Sequence, residues 1–149
     1  KPYFSVDPCA IAKRQFGFSS NKLDALAQHF GIPLKLDTDF DLWKRCFAGD
    51  GEALKYMSKY NKRDTAILEE VYLRMRPWIK GHPNVGNLIS SEEPVCSICG
   101  STDLEKLEGE YYYTSIGKYE LFRCKNCGAI SRGRKNLNIG VNKIVSVGK

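Results

Sequence analysis

Two C-x-x-C pairs, Cys96 with Cys99 and Cys124 with Cys127, are the residues of this sequence whose type and spacing speak most directly of chemistry. Thiolates bind Zn²⁺ tetrahedrally, and a two-residue gap lets both sulfurs of a pair reach one ion while nearby backbone N–H groups point at them. Each pair is followed by glycine, as CSICG and CKNCG, so Gly100 and Gly128 can take the positive φ that turns the chain back after each knuckle. The four cysteines are the expected ligands of one structural zinc ion. Four protein sulfurs leave no open position for water or substrate, so such an ion does no catalysis. Iron is the competing occupant of knuckles of this kind.

Between the pairs, EYYYTS and KYELFRC flank Ile116-Gly117 as the arms of a β-hairpin would. With that spacer the segment resembles a zinc ribbon, in which the metal supplies much of the folding free energy of a module of about 50 residues. Tyr111, Tyr112, Tyr113, Tyr119 and Phe122 are interleaved with Lys118, Arg123 and Lys125. Such a mix can stack bases and meet phosphates, or the alternate aromatics can simply cover the small core of the hairpin. Beyond Glu120 the chain carries Arg123, Lys125, Arg132, Arg134, Lys135, Lys143 and Lys149 without an acid, within a net charge of +6. An acid-free basic stripe favours polyanions, and Arg123, Lys125, Arg132, Arg134 and Lys135 are the candidate contacts to nucleic acid, DNA ahead of RNA. The alternative is a solvated surface.

The elements around these residues divide the chain. Residues 1–80 read as helices: one from Pro8 to about Gln15 with Asp7 as N-cap, one from Leu23 to Phe30 capped by Ser20 or Asn21 and stopped by Gly31, and one near Asp39 to Ala48 with Phe40, Trp43 and Phe47 on one side. The longest follows the Asp50-Gly51 turn and runs to Arg76, before Pro77. Residues 81–95, with two prolines and two glycines from Gly81 to Pro94, read as a linker; 96–135 as the ribbon; 136–149 as a basic tail or strand. Trp43 and Trp78 are expected as packing anchors, Cys9 and Cys46 as small buried hydrophobes, and His29 and His82 as surface or capping groups.

In the long helix, Leu54, Met57, Asn61, Asp64, Leu68, Val71 and Met75 recur at spacings of three and four and define an expected inward stripe. Asn61 and Asp64 then stand where apolar residues belong, and a buried carboxylate costs several kcal/mol unless paired. A metal ion is one partner; a neighbouring arginine, or a solvent-facing orientation, is the alternative. Tyr60 lies one turn before Asp64.

Tyr60-Asn61-Lys62-Arg63-Asp64 matches the Y-x-x-x-D third motif of DnaQ-like 3'-5' exonucleases, the tyrosine-type DEDD enzymes of the ribonuclease H-like superfamily. SSNKLDALAQHFGIPLK resembles the helix that precedes this motif in polymerase-proofreading and related phage or bacterial exonucleases, and KYNKRDTAILEEVYLRM resembles the motif helix, so the likeness covers residues 3–80. It implies a metal-dependent nuclease in which Asp64 is the last carboxylate ligand of two Mg²⁺ or Mn²⁺ ions and Tyr60 orients the attacking water. The first motif of the family, D-x-E, and the N-x-x-x-F-D context of its second are absent, and Asp7 before Pro8 reads as an N-cap. The expected fold class is therefore α+β: the helical back half of a ribonuclease H-like exonuclease followed by a small β zinc ribbon. The missing N-terminal half would come from the same polypeptide or another chain.

Composition sets the remaining bounds. With 42% hydrophobic and 27% charged residues the chain reads as globular, with no apolar run able to cross a bilayer and no signal peptide. Paired metal-type cysteines in place of a disulfide scaffold fit a reducing cytoplasm. The chain opens on Lys1 and not on methionine, which suggests a piece of something longer.

Overall fold

The computed structural model describes residues 4–33 and 36–139. They form two compact units that divide between Lys80 and Gly81. The described architecture is α+β, with four α-helices in the first unit and a three-stranded antiparallel sheet in the second.

Local chemistry sets the helix boundaries. Helix α1, Pro8–Gln15, starts where the Asp7 carboxylate accepts the N–H groups of Cys9 and Ala10 at 2.9 and 3.2 Å. Helix α2, Leu23–His29, has Lys22 in its N-cap position and no side-chain cap; the Ser20 hydroxyl accepts only the Lys22 N–H, so neither Ser20 nor Asn21 caps it as expected. Helix α3, Phe40–Phe47, is capped by Asp39, and helix α4, Gly51–Met75, by Asp50. Both α2 and α3 stop at a glycine with positive φ, Gly31 at 66° and Gly49 at 82°, followed by a Schellman bond from Ile32 N–H to Ala27 O (2.8 Å) or from Asp50 N–H to Arg45 O (3.0 Å). Asp50 thus closes one helix and opens the next. The Arg45 guanidinium, 2.8 Å away, and then the Ala53 N–H hold its carboxyl below the usual carboxylate range. Pro77 ends α4, and Arg76–Trp78 tightens into a 3-10 turn.

The core of this unit joins Ile11 and Ala12 of α1, Leu26 and Ala27 of α2, and Ile67, Val71 and Met75 of α4, with Ile32 and Ile79. The inward stripe of α4 is rotated by one residue from the expected one. It runs through Ala53, Met57, Tyr60, Asp64, Ile67, Val71 and Met75, whereas Leu54, Asn61 and Leu68 are exposed. Met57, Asp64, Val71 and Met75 fit either reading; packing against α1 and α2 selects the one that buries Ile67.

Helix α3 buries none of its residues. Its half-buried members are Leu42 and Cys46, while Phe40, Trp43 and Phe47 point to solvent, the last 96% exposed. Trp43 and Trp78 are therefore not packing anchors, and Cys9 is exposed. Among the described residues the main packing partner of α3 is α4.

In the second unit β1 (Leu104–Tyr113), β2 (Lys118–Cys124) and β3 (Ile130–Arg132) lie in that order. The hairpin closes where Thr114 N–H meets Gly117 O at 2.9 Å. Leu104 pairs with Cys124 and Tyr112 with Tyr119, and between Lys106 and Tyr111 the register shifts through a bulge that contains Gly109 at φ 80°. Past β3 the backbone of Gly133 and Leu137 bonds to Glu120 and Lys118, extending the edge. The stretch expected as a linker is partly structured: Val85–Leu88 is a 3-10 turn whose first N–H reaches Ser97 O at 2.8 Å.

The rotated stripe can be tested by denaturation. Met75→Ala, at a fully buried position, is expected to lose about 2–5 kcal/mol. Leu68→Ala, on the exposed side, is expected to stay within about 0.5 kcal/mol of the parent in urea unfolding followed by far-ultraviolet circular dichroism.

Candidate metal centre

The two cysteine knuckles are built by the same backbone arithmetic. Gly100 N–H donates to Cys96 O and Gly128 N–H to Cys124 O, at 2.9 and 2.8 Å; Cys96 N–H donates to Ser101 O and Cys124 N–H to Ala129 O, at 2.8 and 2.9 Å. The turns require φ of 76° at Gly100 and 79° at Gly128, a conformation L side chains rarely adopt. Cys96 and Cys124, the first ligands of each knuckle, are 1% exposed and pack with Ala129, Leu104 and Ile98.

These turns bring the four Sγ atoms within 4.8 Å of one another. Cys96 lies 3.7 Å from Cys127 and Cys99 lies 3.6 Å from Cys124. A disulfide needs about 2.05 Å, so these are free thiols. A tetrahedron of metal–sulfur bonds of about 2.3 Å has edges of about 3.8 Å, close to the separations present. The cluster can therefore hold a metal ion such as zinc.

The electrostatics point the same way. Burial pushes the Cys96 thiol up and carries that of Cys127 to about 12. At Cys99 burial also acts upward, but hydrogen bonds from the Ser101 backbone, Cys127, Cys124 and Asn126 outweigh it and bring the thiol to about 7. The Cys99 thiolate forms easily while those of Cys96 and Cys127 are opposed by burial, as expected for thiols drawn into one small space without a cation. The Ile98 N–H and the Asn126 side-chain amide donate to Cys96 and Cys99, at 3.4 and 3.6 Å, the outer donors thiolates require. Neither Asn126 nor the Ser97–Ser131 hydroxyl contact of 2.9 Å, which ties the first knuckle to β3, was singled out from the sequence. The N of CKNCG, an amide inside a knuckle, was the available signal for the former; the latter joins residues 34 apart and had none.

The second set of predicted residues is less complete. Tyr60 and Asp64 share the inward stripe of α4 and both are half-buried, while Asn61 is exposed and leaves the set. Asp64 Oδ1 is enclosed and makes no hydrogen bond. The adjacent Arg63 instead reaches the Pro33 carbonyl at 3.1 Å. Among the described residues the cysteines are the one group of three or more His, Cys, Asp or Glu side chains placed to hold an ion, and Asp64 belongs to no such group. Of the basic residues, Arg123, Lys125, Arg132, Arg134 and Lys135 are all exposed, whereas Lys143 and Lys149 lie outside the described residues. Among the described residues no helix is long and apolar enough to cross a membrane.

The chain matches no protein-family description, no curated protein and no solved structure.

One metal ion per chain is expected from elemental analysis of protein purified under reducing conditions, with Cys99→Ser lowering retention. Because protons compete with the ion for thiolates, retention should fall as pH is lowered and recover as it is raised, read from the thiolate charge-transfer absorption of the Co²⁺ form. Chelation should melt the sheet and leave the helical circular dichroism of residues 4–80 in place.

Proposed function

We propose that this chain is the carboxyl-terminal part of a metal-dependent 3'-5' exonuclease acting on nucleic acid, with the cysteine unit serving as a structural zinc ribbon that helps to hold the substrate. The observation that carries the nuclease part is the Asp64 carboxylate: it sits on the inward stripe of α4, one turn after Tyr60, with an enclosed oxygen that no hydrogen bond satisfies. An enclosed carboxylate oxygen without a donor calls for a cation or a partner group. The Y-x-x-x-D resemblance supplies the role, Asp64 as a ligand of Mg²⁺ or Mn²⁺ and Tyr60 as the group that orients water.

One carboxylate cannot hold two ions, so the chain by itself has no route to hydrolysis. The remaining acids belong, on this reading, to an N-terminal half of the domain in the same or another polypeptide. A cluster of free cysteines with perturbed thiols suits a reducing compartment such as the cytoplasm. A second reading, a non-catalytic zinc-ribbon module for nucleic-acid binding or assembly, is favoured by one fact. The metal cluster and the five candidate phosphate contacts, Arg123, Lys125, Arg132, Arg134 and Lys135, all lie between Cys96 and Lys135.

The two separate on activity. Labelled single-stranded DNA with Mn²⁺ should be degraded by a polypeptide that supplies the other acids and left intact by residues 1–149 alone. In the active form Asp64→Ala should lower the rate by about a hundredfold or more, beyond the loss usual for outer-shell partners of a metal. Full activity in Asp64→Ala would end the nuclease reading and leave the binding module.

A further inference from the structure

Strand alternation and register sort the ribbon's side chains onto two faces. Leu104 and Cys124, which pack beside the metal ligands, share a face with Phe122, Tyr111, Tyr113 and Lys118. The opposite face carries the cross-strand pair Tyr112 and Tyr119, then Leu121 beside Arg132 and Arg123 beside Ile130. No aromatic ring of either face belongs to the small core around the cysteines, which on the sheet is met by Leu104 and Cys124 of the first face. Tyr112 is 48% exposed and Ile130 is 53% exposed.

Three features arrange this outer face. The Arg132 guanidinium lies 4.1 Å from the Tyr119 ring centre and 5.7 Å from that of Tyr112, a cation held over two π faces. Gly117 lets the Tyr119 ring lie down across the hairpin turn, since a Cβ there would sit 2.6 Å from the phenol oxygen. Arg134 and Lys135 follow β3 in an exposed loop pinned at both ends by the Gly133 and Leu137 backbone bonds to β2. Among the paired positions of this face the one acid is Glu105, at the knuckle end opposite Arg123.

A surface that offers flat aromatic area beside several cations complements a polyanion whose bases are unstacked. A duplex presents phosphate but keeps its base faces covered. We infer that the sheet face bearing Tyr112, Tyr119 and Arg132 is a stacking platform for single-stranded DNA, with Tyr112 receiving a base and Arg132, Arg134 and Lys135 meeting phosphates. It rests on the reading that the ribbon holds nucleic acid, and adds which face does so and which form it takes.

The test uses residues 1–149 loaded with zinc and a labelled deoxythymidine oligonucleotide, followed by fluorescence anisotropy over a range of salt. Tyr112→Ala should weaken binding about fivefold to a hundredfold, the range a single base–aromatic stack carries, without changing the salt slope. Tyr112→Phe should restore it, and Tyr113→Ala, on the other face, should bind as the parent does. Replacing Arg132, Arg134 and Lys135 together by glutamine should reduce the slope by about 2, at roughly 0.7 per contact for a single strand. Zinc content measured on each variant reports that the ribbon has folded. Equal affinities of Tyr112→Ala and Tyr113→Ala would overturn the face assignment while leaving nucleic-acid binding intact, and tighter binding of duplex DNA or of RNA would overturn the assignment of single-stranded DNA as the ligand. Absence of any binding by the parent would remove the underlying reading with it.

Discussion

Four cysteine sulfurs turned toward one point constrain everything in the second unit. Among its described residues the buried cluster is Cys96, Cys124 and Ala129, too few to supply a hydrophobic core, so the sheet is organised around a charge problem. Thiolates at tetrahedral-edge separations repel one another, and a cation among them converts that repulsion into the strongest attraction in the module. The two knuckles, their glycines and the Ser97–Ser131 contact all hold the sulfurs in place.

The first unit solves stability by the ordinary route. Three helices bury a contiguous apolar cluster that ends in Met75 and Ile79, and several of their boundaries are fixed by a carboxylate cap, a glycine stop or a proline. Against that background Asp64 stands out, because it occupies a position in the apolar stripe of α4 that a leucine would fill at lower cost. A group that weakens the packing around it is better understood through a partner than through the fold.

Helix α3 gives the complementary case. Its capping and its Schellman stop are complete, yet three aromatic rings on one side remain in solvent. The amphipathic pattern identified the apolar side of this helix; which neighbour covers it lies in no property of the helix itself.

Local chemistry was legible in the residues alone. The knuckle spacing, the glycines at 100 and 128, the cap at Asp7 and the break at Pro77 each depend on groups a few positions apart, so the sequence carries them whole. What tertiary structure decided depends on distant partners. Stripes through Leu54 and Leu68 or through Ala53 and Ile67 satisfy the same periodicity, and contact with α1 and α2 chose the second. Similarly, the exposure of Trp43 and Trp78, the bulge at Gly109, the short β3 and the docking of Val85 on Ser97 are settled by what lies opposite each residue in space. Helical and strand periodicities fix a side chain's direction relative to its own backbone, whereas burial is a property of the surface it meets.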